Sequence, residues 1–186
     1  MPRQSDTRQK MILSQALLQR ERGVAGTALP DVLEHSGAPR GSIYHHFPDG
    51  RSQLAEEATE WAADYVSRRL EKRLAEGDVA AALDAFAGDY LAVLQDTDFR
   101  AGCPVVAGAL DPSTRAAAAA GFRRWEELLR EALARAGVPA ARAESLAVLF
   151  IASIEGAIVL SRAEGTTRPL EQASQQLRSV LELELA

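Results

Sequence analysis

Glycine and proline punctuate this chain at intervals that suit helices. Between Gly23, Gly37, Gly50, Gly77, Gly137 and Gly165, apolar residues recur three and four positions apart. That spacing gathers them on one face of a helix. No stretch sustains the period-two alternation of a half-buried strand. The expected class is therefore all-α.

The elements follow from these breaks. Ile12, Leu13, Ala16 and Leu17 mark a first helix, with Asp6 as its N-cap and Gly23 as its stop. Thr27 is placed to cap a short second helix whose inner side is Leu29, Val32 and Leu33. Gly37 supplies the next turn, because a positive φ is cheap only for glycine. Pro39 suits the first turn of a third helix, where a missing N–H costs nothing. Pro48, Asp49 and Gly50 break the chain again before a long fourth helix over 51–75. Leu54, Ala58, Trp61 and Tyr65 form one stripe on it, with Ala62, Val66 and Leu70 beside them.

A fifth helix carries Leu83, Phe86, Tyr90, Leu91 and Leu94, and a short apolar segment with helical potential follows at CPVVAGALDPS. Pro112 is read as opening a helix to Gly137, Val138-Pro139 the next, and Pro169 the last. Residues 146–160 are apolar almost all round and need burial on nearly every face. Together with the stripe Leu170, Ala173, Leu177, Val180, Leu181 and Leu185, they predict a twofold dimer packed helix against helix. The alternative is the central helix of a monomer core.

Composition narrows the class. Of 186 residues, 47% are hydrophobic and 25% charged, the balance of an ordered globular chain. No uninterrupted apolar run reaches the roughly 18 residues of a membrane span. The N-terminus MPRQSDTRQK has no apolar core behind its charges, and Cys103 is the single cysteine. Both point to a cytoplasmic protein without a disulfide framework. The net charge of −5 argues mildly against nucleic acid when the chain is taken whole. It divides unevenly: residues 1–54 carry seven Arg or Lys against five Asp or Glu, the remainder 14 against 21. That is +2 on the first part and −7 on the rest, a basic module on an acidic body.

The stretch TALPDVLEHSGAPRGSIYHHFPDGRSQL, 27–54, then carries the functional reading. Two short helices joined by a glycine turn match a helix-turn-helix, whose second helix enters the major groove of DNA. The run GAPRGSIYHHF, with a positively charged start to the next helix, resembles the tetracycline-repressor (TetR) family of bacterial regulators over residues 5–58. GCPVVAGALD at 102–111 and FPDGRSQLAEEA resemble the LmrA/YxaF-like branch of that family.

The resemblance implies an N-terminal three-helix DNA-binding head over 1–50. A helical ligand-binding and dimerisation domain over 51–186 would follow. It implies a homodimer on a near-palindromic double-stranded operator, most simply a repressor, released by a small-molecule effector. It carries roles onto single residues. Arg40 and Ser42 stand at base-reading positions, and Arg suits bidentate contact with guanine. His45, three residues after Ser42, shares that face, and Gly41 lets the backbone approach the groove. Thr27, Tyr44, His46 and Arg51 are expected on phosphates, which fix register without reading sequence. Ile43 and Phe47 point inward. Without the flanking pattern, Tyr44 and the histidines would read as a packed aromatic cluster. Arg3 and Arg8 suit a minor-groove arm, or simply a solvated terminus.

The resemblance also implies an effector cavity between helices spanning about 80–160. Candidate lining residues are Phe86, Tyr90, Cys103, Val106, Leu110, Trp125, Leu129, Phe150 and Ile154, each of which core packing explains as well. Few charges fall among them, so the expected ligand is apolar or aromatic, with room for one polar handle. Cys103, followed by proline in an apolar segment, reads as a small buried hydrophobe before it reads as an oxidant sensor.

Enzymatic chemistry has no foothold. His35, His45 and His46 have no Cys or Glu at a metal-ligand spacing, and no nucleotide-binding glycine loop is present. Glu56-Glu57 and Glu126-Glu127 are helix neighbours that face different directions. No metal or cofactor is expected. The competing classes are a small-molecule or protein-interaction module without specific DNA binding, and an activator.

Overall fold

The computed structural model describes residues 4–185. Among them, every regular element is helical: α1 (Gln4–Arg22), α2 (Leu29–Ser36), α3 (Ile43–His46), α4 (Arg51–Leu74), α5 (Val79–Asp96), α6 (Pro104–Ala109), α7 (Arg115–Arg135), α8 (Ala140–Glu164) and α9 (Arg168–Leu185). The breaks fall where glycine was expected to make them. Gly37 caps α2 at φ 67° and takes its N–H to the Glu34 and Leu33 carbonyls, and Gly165 ends α8 at φ 65°. Asp78 caps α5 by accepting from the Ala81 N–H.

Local details differ from the sequence expectation. Ala28, not Thr27, is the N-cap of α2, and the Thr27 hydroxyl donates instead to the Gly23 carbonyl at 2.8 Å. Asp6 lies inside the first turn of α1 instead of capping it. The third helix begins as a 3₁₀ turn, Arg40–Ser42, before one turn of α-helix. Pro112 falls in the turn before α7, which starts at Arg115. Tyr65 does not belong to the buried stripe of α4: it is exposed, and its hydroxyl accepts from Arg69 at 3.0 Å.

The chain divides into two compact units, the first comprising 1–64 and 103–121, the second 65–102 and 122–186. The boundary cuts α4 between Asp64 and Tyr65.

In the first unit, Met11, Ile12, Ala16, Leu18, Val32, Leu33, Ile43, Phe47, Leu54 and Ala58 form one apolar core. Fully burying each large side chain contributes about 1.5–3 kcal/mol. Segment 103–121 returns to this unit, where α6 packs on α1. Two glycines permit the close approach. A Cβ on Gly108 would stand 2.7 Å from Thr59 Cγ2, and one on Gly121 only 2.6 Å from the Ala63 Cβ. A buried polar chain runs through the same region. Gln15 donates to the Gln19 side-chain oxygen at 3.1 Å, and Gln19 donates to Thr59 Oγ1 and to the Pro104 carbonyl, each at 3.1 Å. Thr114 donates to the Gly108 carbonyl at 2.7 Å.

In the second unit, α8 and α5 both pack on α9, and α5 also touches α8. Leu146, Phe150, Ile154 and Ile158 of α8 are buried, as are Leu170, Leu177 and Leu181 of α9. α8 is long and apolar enough to cross a membrane by length and composition, with a mean hydropathy of 1.9 over its best window. It is nonetheless a core helix with one face buried. Its other face leaves Val148, Leu149, Val159 and Leu160 exposed, and α9 adds Leu183 and Leu185.

Candidate nucleic-acid interface

The segment 40–47 sorts its side chains by direction. Ile43 is 3% exposed and Phe47 0%, whereas Tyr44 is 66% exposed. Arg40, Gly41 and His45 are exposed too, with Ser42 and His46 half-buried. The two inward side chains anchor in the first unit's core, so the outward ones are carried on a fixed support. No carboxylate occurs between residues 40 and 47. A Cβ on Gly41 would meet nothing within 4 Å, so the surface there is open to a close approach. Ser42 Oγ donates back to the Pro39 carbonyl at 2.6 Å, which fixes the hydroxyl while leaving its oxygen able to accept. The Tyr44 ring lies over Gly50, whose added Cβ would sit 3.2 Å from Tyr44 Cε1.

The histidines form an edge-to-face pair with ring centroids 5.1 Å apart. Burial holds the His46 pKa below its ordinary value, assisted by the positive charges of His45 and Arg8. His46 therefore favours its neutral form. Arg8 places its guanidinium 4.8 Å from the centre of the Phe47 ring and pairs with Glu57 at 2.5 Å. It is thus committed to the first unit's own packing. Arg3 lies outside the described residues.

Two expected phosphate contacts are tied to the loop between α1 and α2. Thr27 is fully buried, and its hydroxyl is spent on the Gly23 carbonyl, so this side chain offers no hydroxyl to a duplex. Arg51 is exposed but donates to the Val24 carbonyl at 2.5 Å. It also lies near Asp111. Hydrogen bonds from the Ser113 hydroxyl and N–H hold that carboxyl below its usual pKa, with Arg51 and Arg115 adding to the effect.

The expected effector residues separate. Phe86, Trp125, Leu129, Phe150 and Ile154 come together in the second unit, where they wall a cavity of about 20 Å³ with Leu70, Leu83, Ile151 and Glu155. That volume holds about one water molecule. Tyr90 is buried beside it, its ring edge-to-face with Phe86 at 5.3 Å. Cys103, Val106 and Leu110 do not line this cavity, because their segment belongs to the first unit. Cys103 is buried there, and Leu110 is 80% exposed. The sequence reading missed Glu155, although a lone carboxylate inside the apolar run LAVLFIASIEGAIVL was a visible signal.

Comparison with known proteins agrees with this architecture. Residues 15–58 match the model of bacterial regulatory proteins of the tetR family, and residues 79–176 that of the transcriptional regulator LmrA/YxaF-like C-terminal domain. An uncharacterised HTH-type transcriptional regulator of Mycobacterium tuberculosis is 44% identical over 96% of this chain and 95% of its own length. The chain belongs to the TetR family. The HTH-type transcriptional regulator LmrA of Bacillus subtilis is 30% identical over 95% of this chain and 97% of its own. A crystal structure of a TetR transcriptional regulator from Chloroflexus aurantiacus superposes with a TM-score of 0.74 at 29% identity, covering 98% of this chain and 97% of that one. TetR-family regulators bind DNA through the helix-turn-helix and dimerise, and they are not enzymes.

Proposed function

We propose that this TetR-family regulator is a homodimeric repressor of a near-palindromic operator, released by a small apolar or aromatic effector. Residues 1–50 would supply the DNA-binding head, and 51–186 ligand binding and dimerisation. The observation that carries the reading is the outward face of 40–46, held by Ile43 and Phe47 beneath it. Arg40, Ser42 and His45 read bases on this view, with Gly41 allowing the backbone close to the groove. Tyr44, His46 and Arg51 hold phosphates. Thr27 is assigned to bracing the loop before α2, because its hydroxyl is buried and used.

The exposed apolar stripe of α8 and α9 supports a twofold contact, since Val148, Leu149, Val159, Leu160 and Leu183 would otherwise face water. Two heads then meet half-sites about one helical turn (roughly 10 bp) or a little more apart. Effector occupancy lowers operator affinity through coupled equilibria.

A mobility-shift series over a randomised operator tests the division of roles. Arg40→Ala relaxes discrimination at one base position, costing about 1–3 kcal/mol there, whereas Arg51→Ala weakens all sequences alike. Uniform loss in both variants would remove the division. No preference for any duplex over random DNA at moderate salt would favour a module without specific DNA binding instead.

A further inference from the structure

We infer that Gly50 is a positioning residue for DNA binding, its missing side chain seating the Tyr44 ring at the start of α4. The inference rests on the reading of Tyr44 as a phosphate contact, and it names what holds the phenol in place. Gly50 closes the turn between α3 and α4. Its N–H donates to the Phe47 carbonyl at 2.8 Å, and its carbonyl accepts from the Leu54 N–H at 3.2 Å. Pro48 and Asp49 of the same turn are exposed, yet Gly50 is buried. The Tyr44 ring lies over it. A Cβ added to Gly50 would stand 3.2 Å from Tyr44 Cε1 and 3.9 Å from Cδ1. Arg51, the next residue, opens α4 and is itself tied to the Val24 carbonyl. Two side chains read as phosphate contacts thus share one support.

Two demands fall on this residue, and they can be separated. Its φ of 64° lies in the left-handed region, which asparagine tolerates better than alanine. Backbone conformation alone would therefore admit asparagine. The close approach would not, because any Cβ at 3.2 Å pushes the ring outward. Ile43 beside Tyr44 is buried and anchors the helix, so the displacement falls on the exposed phenol. The hydroxyl, at the far end of the ring, moves further than the atom that is pushed. Hydrogen bonds weaken steeply once misaligned, so a small shift at the ring edge costs the contact at its tip. A side chain already seated also loses less rotamer freedom on binding.

A double-mutant cycle on the full chain tests this, with binding measured on a duplex that the unaltered protein recovers from a randomised pool. Tyr44→Phe keeps the ring and removes the hydroxyl, and should weaken binding about three- to tenfold. Gly50→Asn should weaken it by a similar factor alone, and by no further factor in the Tyr44→Phe background. Thermal melts of Gly50→Ala and Gly165→Ala separate strain from contact. Gly165 has φ 65° and nothing within 4 Å of an added Cβ, so its variant shows the backbone cost alone. Equal loss from Gly50→Asn in both backgrounds overturns the inference, as does no loss in either. Should Gly50→Asn not fold, Gly50→Ala takes its place in the cycle. Loss of the folded head in both variants would show that Gly50 serves the turn and not the tyrosine. An inert Tyr44→Phe defeats the phosphate reading first, and recovery of no duplex defeats DNA binding itself, so each failure is told from the others.

Discussion

Among the described residues, six buried polar side chains, Ser14, Gln15, Gln19, Thr27, Thr59 and Thr114, lie in the first compact unit, against Ser67, Glu155 and Ser161 in the second. In the first, glutamine and threonine bond across α1, α4 and α6, and glycines let those backbones approach to contact. Hydrogen bonds and tight contacts have narrow geometric tolerances, so they define one arrangement. In the second, largely apolar side chains surround two small voids, with Glu155 on the wall of one and Asp84, Ser174 and Arg178 on the wall of the other. Apolar packing is nearly indifferent to direction and accepts rearrangement at modest cost. The contrast suits one unit to presenting a fixed face and the other to reshaping around a ligand.

The largest test compares two phenylalanines. Phe47→Ala should cost about 3–5 kcal/mol in denaturant unfolding, because the ring is fully buried in the head's core. Phe86→Ala, at the half-buried mouth of the cavity, should cost less than about 2 kcal/mol. Equal costs would break the contrast between a fixed and an adaptable unit.

Glycines sharpen it next. Gly121→Ala drives a Cβ to 2.6 Å from the Ala63 Cβ and should destabilise by about 1–3 kcal/mol. Gly88→Ala on α5 meets nothing within 4 Å and should instead raise the melting temperature slightly, gaining about 0.5–1 kcal/mol. Gln19→Leu removes the bonds to Thr59 and Pro104 and should lower stability by about 1 kcal/mol. A neutral result in chemical denaturation would show that this polar chain is not what holds α6 against α1.

The smallest effect concerns charge. Glu60 has its pKa raised above the ordinary 4.5, first by burial and then by Glu56, Glu57 and Asp64. Its protonated form is thus favoured more in the folded than in the unfolded chain. Stability should improve as pH falls from above the raised folded value towards 4.5, with no further gain below it. Glu60→Gln should therefore stabilise slightly at neutral pH, with the advantage vanishing below that window. A thermal melt series on both proteins reads this, and a constant advantage at every pH would reject the electrostatic cause.

Much of the head is legible in the amino-acid sequence. Ile43 and Phe47, apolar and four residues apart, separate from Arg40, Tyr44 and His45 as the family resemblance implies, and Gly37 and Gly165 announce helix ends through their freedom at positive φ. These are local properties of a few consecutive residues. Thr27 was misread because a cap and a bond back to the preceding turn demand the same residue at nearly the same place. Cys103, Val106 and Leu110 fall in the other compact unit from the cavity, and their order along the chain says nothing of where the segment returns.

The sequence by itself determined the all-α class, the helix breaks, the helix-turn-helix and its inward and outward faces. Each follows from periodicity or from backbone preference, and both act within a few residues. Tertiary structure alone decided that 103–121 packs with the first unit, that Gln19 bridges Thr59 and Pro104, and that Glu155 shares a wall with three aromatic rings. Those relations join residues tens of positions apart, and they exist only once several helices have buried their faces together.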